Sequence, residues 1–180
     1  GTIIPDTIDE MWGTDMTATL LSTGQQVAVF IAVDHYSASC VGIHAAMRGT
    51  RFEALQPIRQ GVRDCFGAIG KDVADGLTIR HDNGSQYISH DFQSEIVWLG
   101  AKSSPSFVRA PEGNGCAERF IRTLKENLLW VRAFDTIEEL QTALQKFKDD
   151  YNEKWLIQRH GLRSPNQFRR DAMDKIPAAA

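Results

Sequence analysis

A chain of 180 residues with 42% hydrophobic side chains suits one globular domain with a substantial core, and two full domains are not expected. No run approaches the roughly 20 apolar residues that span a bilayer, and residues 1–10 lack the basic-then-apolar order of a signal peptide, so a cytoplasmic protein without membrane contact is expected. A net charge of -3 argues against a protein that coats nucleic acid non-specifically, because that affinity comes from Lys and Arg neutralising phosphates.

The first predicted strand runs from Met11 to Leu21 and breaks at Ser22-Thr23-Gly24. Val27 to Val33 is an unbroken run of β-branched and apolar residues, the pattern of a strand buried on both faces, and Ser39 to Met47 completes a three-stranded antiparallel meander. Phe52, Leu55, Ile58, Val62, Cys65, Phe66 and Ile69 recur at helical steps after Thr50, although Pro57 is expected to disturb the first turns. A short fourth strand, Leu77 to His81, ends at the turn signal Asp82-Asn83-Gly84. A helix from Ser89 to Leu99 closed by Gly100 leads into a fifth strand over residues 101–104. The loop Pro111-Glu112-Gly113-Asn114-Gly115 is expected to be mobile, and Asn114 to cap a helix over 115–132. Thr136 with Glu139 forms a capping-box pattern for a helix to Tyr151, and Ser164-Pro165 opens a last short helix. This order predicts an α/β fold, a five-stranded mixed sheet flanked by helices.

Metal-assisted phosphodiester chemistry needs carboxylates that converge from different elements, since each divalent ion takes several hard oxygen ligands. Asp15 lies inside the first strand, where strand propensity and burial both disfavour an acid. Asp82 closes the fourth strand, and Glu118 lies in the first turn of the helix after the glycine-containing loop. Thirty-five residues separate Asp82 from Glu118. Around the three acids stand Trp12-x-x-Asp15-x-Thr17, Asp34-x-Tyr36-Ser37, Asp82-x-Gly84-x-Gln86-Tyr87 and Asn114-x-x-x-Glu118-x-Phe120-x-x-x-Leu124-Lys125. Tyr151-Asn152 and Ser164-Pro165 follow in order.

Together these motifs resemble the integrase catalytic core of bacterial insertion-sequence transposases and retroviral integrases, and the match covers nearly the whole chain in order. The resemblance implies a ribonuclease-H-like fold and a catalytic, metal-binding set of Asp15, Asp82 and Glu118 holding two Mg²⁺ or Mn²⁺ ions. It implies DNA, both transposon ends and target, as substrate and partner, nicking followed by strand transfer, and a homo-oligomer in the active complex. Two positions depart from the family's pattern: His81 precedes the second aspartate, and Trp155 stands where an arginine often follows Tyr-Asn. Neither touches an expected ligand.

Other features bear on DNA contact. Arg122 and Lys125 fall within about 40° of Glu118 around the helix, while Phe120, Leu124, Leu128 and Val131 form a stripe expected to face the core. Lys125, Arg122 and Asn114 are therefore the candidate DNA-binding residues, Lys125 because related integrases grip DNA from this helix position. Residues 154–175 carry six cationic side chains against two acidic ones, so an acidic body ends in a basic tail. The expected organisation is a core over 1–153 and a basic extension over 154–180 with a short helix and a disordered end. Asp34 is read as an Asx-type turn residue and His81 as a packing or supporting group, since hard divalent ions prefer oxygen. The three cysteines, far apart in sequence, are read as free thiols. No DNA-reading module such as a helix-turn-helix is evident, so the chain reads as a domain excised from a longer protein, acting in the cytoplasm and on the nucleoid. Alternative readings are a ribonuclease-H-like nuclease and a domesticated, non-catalytic DNA-binding remnant.

Overall fold

The computed structural model describes residues 3–106 and 111–175. Five strands, β1 (Met11–Leu20), β2 (Gln26–Asp34), β3 (Cys40–Ala46), β4 (Thr78–His81) and β5 (Lys102–Pro105), form one sheet in the order β3-β2-β1-β4-β5. The β1, β2 and β3 pairings are antiparallel, whereas β4 joins β1, and β5 joins β4, in parallel. The parallel joins require crossovers, supplied by α1 (Arg51–Phe66) before β4 and by α2 (Ser85–Ile88) with α3 (His90–Trp98) before β5. Then come α4 (Gly115–Leu124), α5 (Ile137–Lys154) and α6 (Pro165–Asp174).

Each face of the sheet carries its own core. Val29, Ile31 and Val33 of β2 pack with Phe120 and Leu124 of α4 and Leu140 and Leu144 of α5, while Phe30 and Ala32 face Trp12, Ile58, Val62 and Phe92. Burial on both faces explains why β2 has no polar alternation. The predicted disturbance at Pro57 does not occur: α1 runs unbroken through it. A mid-helix proline costs about 3 kcal/mol, and the burial of Ala54, Leu55, Ile58 and Val62 offsets that cost. The helix stops at Gly67, whose φ of 88° suits glycine and whose amide donates to the Arg63 carbonyl.

The predicted helix over 115–132 departs from its expected phase. After α4 the chain makes a π-helical stretch, Lys125–Leu129, in which the Trp130 amide donates to the Lys125 carbonyl at 2.9 Å. A wider turn delays every later side chain, so Leu129 is buried while Val131, expected in the core, is 68% exposed. Asn114 does not cap α4 with its side chain. Thr136 does accept from the Glu139 amide, and Ser164 caps α6 with Pro165 in its first turn.

The residues after α5 fold back onto the body. Arg169 of α6 donates to Asp9 Oδ2 at 2.7 Å and reaches Asp34 Oδ2 at 3.5 Å. Arg163 pairs with Asp171, Arg170 with Glu153, and Arg159 donates to the carbonyls of His35 and Tyr36. Much of the basic character of this tail is thus engaged within the chain. The expected disorder of the C-terminal end falls on residues 176–180, outside the described residues, as do residues 107–110 of the loop before α4, whose stretch Pro111–Asn114 is a 3-10 turn.

Candidate active site

The parallel pairing of β1 with β4 sets Met11, Trp12 and Gly13 opposite Thr78, Ile79 and Arg80. Two residues further on stand Asp15, in the middle of β1, and Asp82, just past the end of β4, so the same register sets the two acids side by side. Glu118 lies in the first turn of α4, which packs on the β1–β2 face. The Asp15 carboxyl is partly buried and its Oδ1 accepts from the Met16 amide at 2.8 Å. Its pKa is pushed up from 3.8 to about 6, chiefly by burial and then by the charges of Asp82 and Glu118, against the Met16 bond and the charge of Lys125. Asp82, Glu118 and Lys125 therefore lie within electrostatic reach of Asp15. Asp82 is exposed, and its Oδ1 accepts from the Gly84 amide at 2.7 Å. Glu118 is also exposed. Among the described residues, no three carboxylate, imidazole or thiol groups are close enough, as the side chains stand, to hold one ion.

His81, read from the sequence as a packing or supporting group, does support this geometry, together with Ser103, Gln93 and Arg80, which the sequence did not single out. His81 is buried and stacks on Tyr87 with ring centroids 5.6 Å apart. Its Nδ1 lies 2.6 Å from the Asp82 carbonyl, which can only accept, so Nδ1 carries the proton and Nε2 accepts from the Ser103 hydroxyl at 2.5 Å. Gln93 donates to the same hydroxyl at 3.0 Å. Burial holds the His81 pKa below its usual value, which keeps this chain of hydrogen bonds in one polarity. His81 is thus a packing and positioning residue for the backbone at Asp82. Arg80 donates to Ser104 and lies directly under Gly113, where any Cβ would come within 2.1 Å of the guanidinium. A side chain at 113 would have to displace the Arg80 guanidinium from under the turn before α4.

Asn114, expected as a helix cap and DNA contact, is buried, and its Nδ2 donates to the Thr14 carbonyl at 3.1 Å. Its Oδ1 and His35 Nε2 have no hydrogen-bond partner among the described residues, and both lie within 2.7 Å of the point a Cβ on Gly13 would occupy. Arg122 is exposed and lines a small cleft of about 170 Å³ with Gly115, Glu118 and Arg119. Lys125 is half-buried at the head of the π-helical stretch. Asp34 accepts from the Ser37 amide and hydroxyl at 2.8 and 2.6 Å, as an Asx-type turn requires. The three cysteines are free.

A five-stranded mixed sheet in this order, with helices on both faces, is the ribonuclease-H-like fold. Solved structures with the same fold include a simian T-cell lymphotropic virus intasome in complex with the PP2A regulatory subunit B56 gamma, with a TM-score of 0.70 at 18% identity over 100% of this chain and 59% of that one. The HTLV-2 integrase catalytic core domain in complex with magnesium gives 0.66 at 18% identity over 94% and 99%. In sequence, residues 7–111 and 99–165 match two models that are both described as an integrase core domain. The chain belongs to the integrase core domain family. The transposase for insertion sequence element IS904 of Lactococcus lactis subsp. lactis is 37% identical over 110 residues, 59% of this chain and 44% of that protein. Transposase InsD for insertion element IS2A/D/F/H/I/K of Escherichia coli is 26% identical over 165 residues, 90% of this chain and 54% of that protein. The chain thus spans about half the length of these relatives. These matches favour a transposase or integrase catalytic core over a ribonuclease-H-type nuclease or a non-catalytic remnant. Among the described residues no helix is long and apolar enough to cross a membrane.

Proposed function

We propose that this chain hydrolyses and rejoins phosphodiester bonds of DNA, nicking transposon ends and transferring the freed 3′-hydroxyl to target DNA, with Asp15, Asp82 and Glu118 as ligands for two Mg²⁺ or Mn²⁺ ions. The observation that carries this reading is the β1–β4 register, which sets Asp15 beside Asp82, and the raised pKa of Asp15 supports it. An acid in the middle of β1, disfavoured by burial and by two like charges, gains most from a bound cation. The donor set suits hard ions, since all three groups offer carboxylate oxygen. Bound there, such ions would activate the attacking oxygen and stabilise the leaving one. Asp15 and Asp82 are mounted on the sheet, His81, Ser103 and Gln93 fix the backbone at Asp82, and Asn114 fixes the start of the Glu118 helix. Lys125 and Arg122 would grip the phosphate backbone beside them, while Asn114, being buried, would act on DNA through Glu118. Residues 1–153 would form the core and 154–180 a fastened extension. The working protein would be a homo-oligomer of longer chains in the cytoplasm, acting at the nucleoid.

Asp82→Asn tests the reading. Mn²⁺-dependent nicking of end DNA should vanish, and the rise in melting temperature that Mn²⁺ gives the unsubstituted chain should vanish with it, while the metal-free melting curve stays in place. Nicking at the unsubstituted rate in that variant would overturn the ligand assignment.

A further inference from the structure

A cavity of about 700 Å³ opens beside α4, lined by Cys116, Arg119 and Phe120 of that helix, by Tyr151 of α5, and by Trp155 and Arg159. That volume lies within the range of sites that take a small organic ligand. Arg119 also lines the cleft that holds Glu118, so the two depressions share a wall. The cavity floor is aromatic. Tyr151 stacks on Phe147 and on Trp155, with interplanar angles of 19° and 28°, and Phe120 meets Tyr151 edge-on. These rings climb one side of α5 at four-residue steps and end at Trp155, which is 40% exposed. Arg159 also lines the cavity, held by its bonds to the carbonyls of Tyr36 and His35. Neutral carbonyls fix its direction without cancelling its charge.

A flat exposed ring, fixed by the rings beneath it, in a cavity that two guanidinium groups also line, suits an aromatic ligand joined to an anion. We infer that this cavity takes an unpaired nucleobase of the DNA strand whose phosphates run past Glu118, with the base stacked on Trp155 and its phosphate towards Arg159. Base stacking on an aromatic side chain tolerates any base, so the pocket would recognise an unpaired or unstacked nucleotide rather than a sequence. Trp155 thereby acquires a role that its departure from the family's usual residue leaves open. The inference rests on the DNA-joining reading above, but its test uses binding without metal, so the two can fail separately.

The probe is a short single-stranded oligodeoxynucleotide, intact or with every position abasic, titrated into ¹⁵N-labelled chain in EDTA. The Trp155 indole N–H resonance, identified by its loss in Trp155→Phe, should shift with the intact oligonucleotide and move less with the abasic one. Trp155→Ala should weaken binding of the intact probe about tenfold, with Trp155→Phe within about threefold of the unsubstituted chain, since stacking contributes about 1–3 kcal/mol per base. The abasic probe should bind the unsubstituted chain and Trp155→Ala equally. Equal affinity of Trp155→Ala and the unsubstituted chain for the intact probe would overturn the proposal. So would self-association of the chain that Trp155→Ala abolishes without any effect on DNA.

Discussion

Asn114 at the head of α4 donates from Nδ2 to the carbonyl of Thr14, 3.1 Å away, and so ties the helix bearing Glu118 to the strand bearing Asp15. The two residues are 100 positions apart in sequence. Asn114→Ala removes the tie but also removes an acceptor, Oδ1, that has no partner, so its cost in stability should be near the low end of about 1–3 kcal/mol. The loss of nicking activity should be larger than that cost, because the spacing between Asp15 and Glu118 is what the bond fixes. Gly13→Ala should do the same by another route, since its Cβ would meet Asn114 Oδ1 at 2.4 Å. Thermal melts read the first effect and a nicking assay the second; full activity in both variants would show that the bond does not position Glu118.

What the sequence conveyed and what it withheld follow a physical division. The unbroken apolar run in β2 announces burial on both faces, and Ser164-Pro165 announces a capped helix start, because both signals are local. The 35-residue interval and its flanking motifs pointed to Asp82 and Glu118, and the strand position pointed to Asp15. The π-helical stretch was invisible, since an angular reading at about 100° per residue assumes the regular turn it replaces. That assumption sent Val131 inwards and left Leu129 out. Asn114 looked like a cap because its neighbours in sequence form a helix start, whereas its partner lies on β1. Arg169 looked like part of a free basic tail, and its two acids are 135 and 160 residues away.

Arg169 is the anchor of that tail. Its guanidinium is largely buried against Asp9 and the fully buried Asp34, and Asp34 has its pKa raised by burial and by Asp9. Arg169→Leu leaves both acids facing each other without a cation, and breaking a buried pair in this way costs about 3–5 kcal/mol. The melting temperature should fall on the order of 10 °C, and limited proteolysis should cut first within 154–175. An unchanged melting temperature would mean that the extension is held by α5 and α6 packing alone.

The Asp15 carboxyl gives a pH dependence with a definite sign. Its folded value, about 6, lies above the unfolded 3.8, so the folded chain holds this proton more tightly. The stabilisation is complete below about pH 4 and is lost as the pH rises through about 6. Metal-free chain should therefore lose on the order of 1 kcal/mol from this group across that window, after allowance for its partial exposure. Asp15→Asn should remove that loss, melt about 2–4 °C higher than the unsubstituted chain in EDTA near pH 8, and show no further rise with Mn²⁺. A variant that melts lower at that pH would show that Asp15 stabilises the metal-free fold.

Lys125 distinguishes DNA grip from simple charge compensation. It is half-buried at the head of the π-helical stretch, and its positive charge acts to lower the pKa of Asp15. Arg122 is exposed on the same helix and lines the Glu118 cleft. If Lys125 neutralises a phosphate, Lys125→Ala should weaken binding to end DNA at every sequence and reduce the slope of log affinity against log salt by about 1. If it serves only to balance Asp15, the slope should stay the same. The pKa of Asp15 should rise further in either case, so salt-dependent binding in EDTA separates the two roles and a carboxyl-detected NMR titration checks the charge effect. An unchanged salt slope would remove Lys125 from the DNA-binding surface and leave Arg122 as the cation to test there.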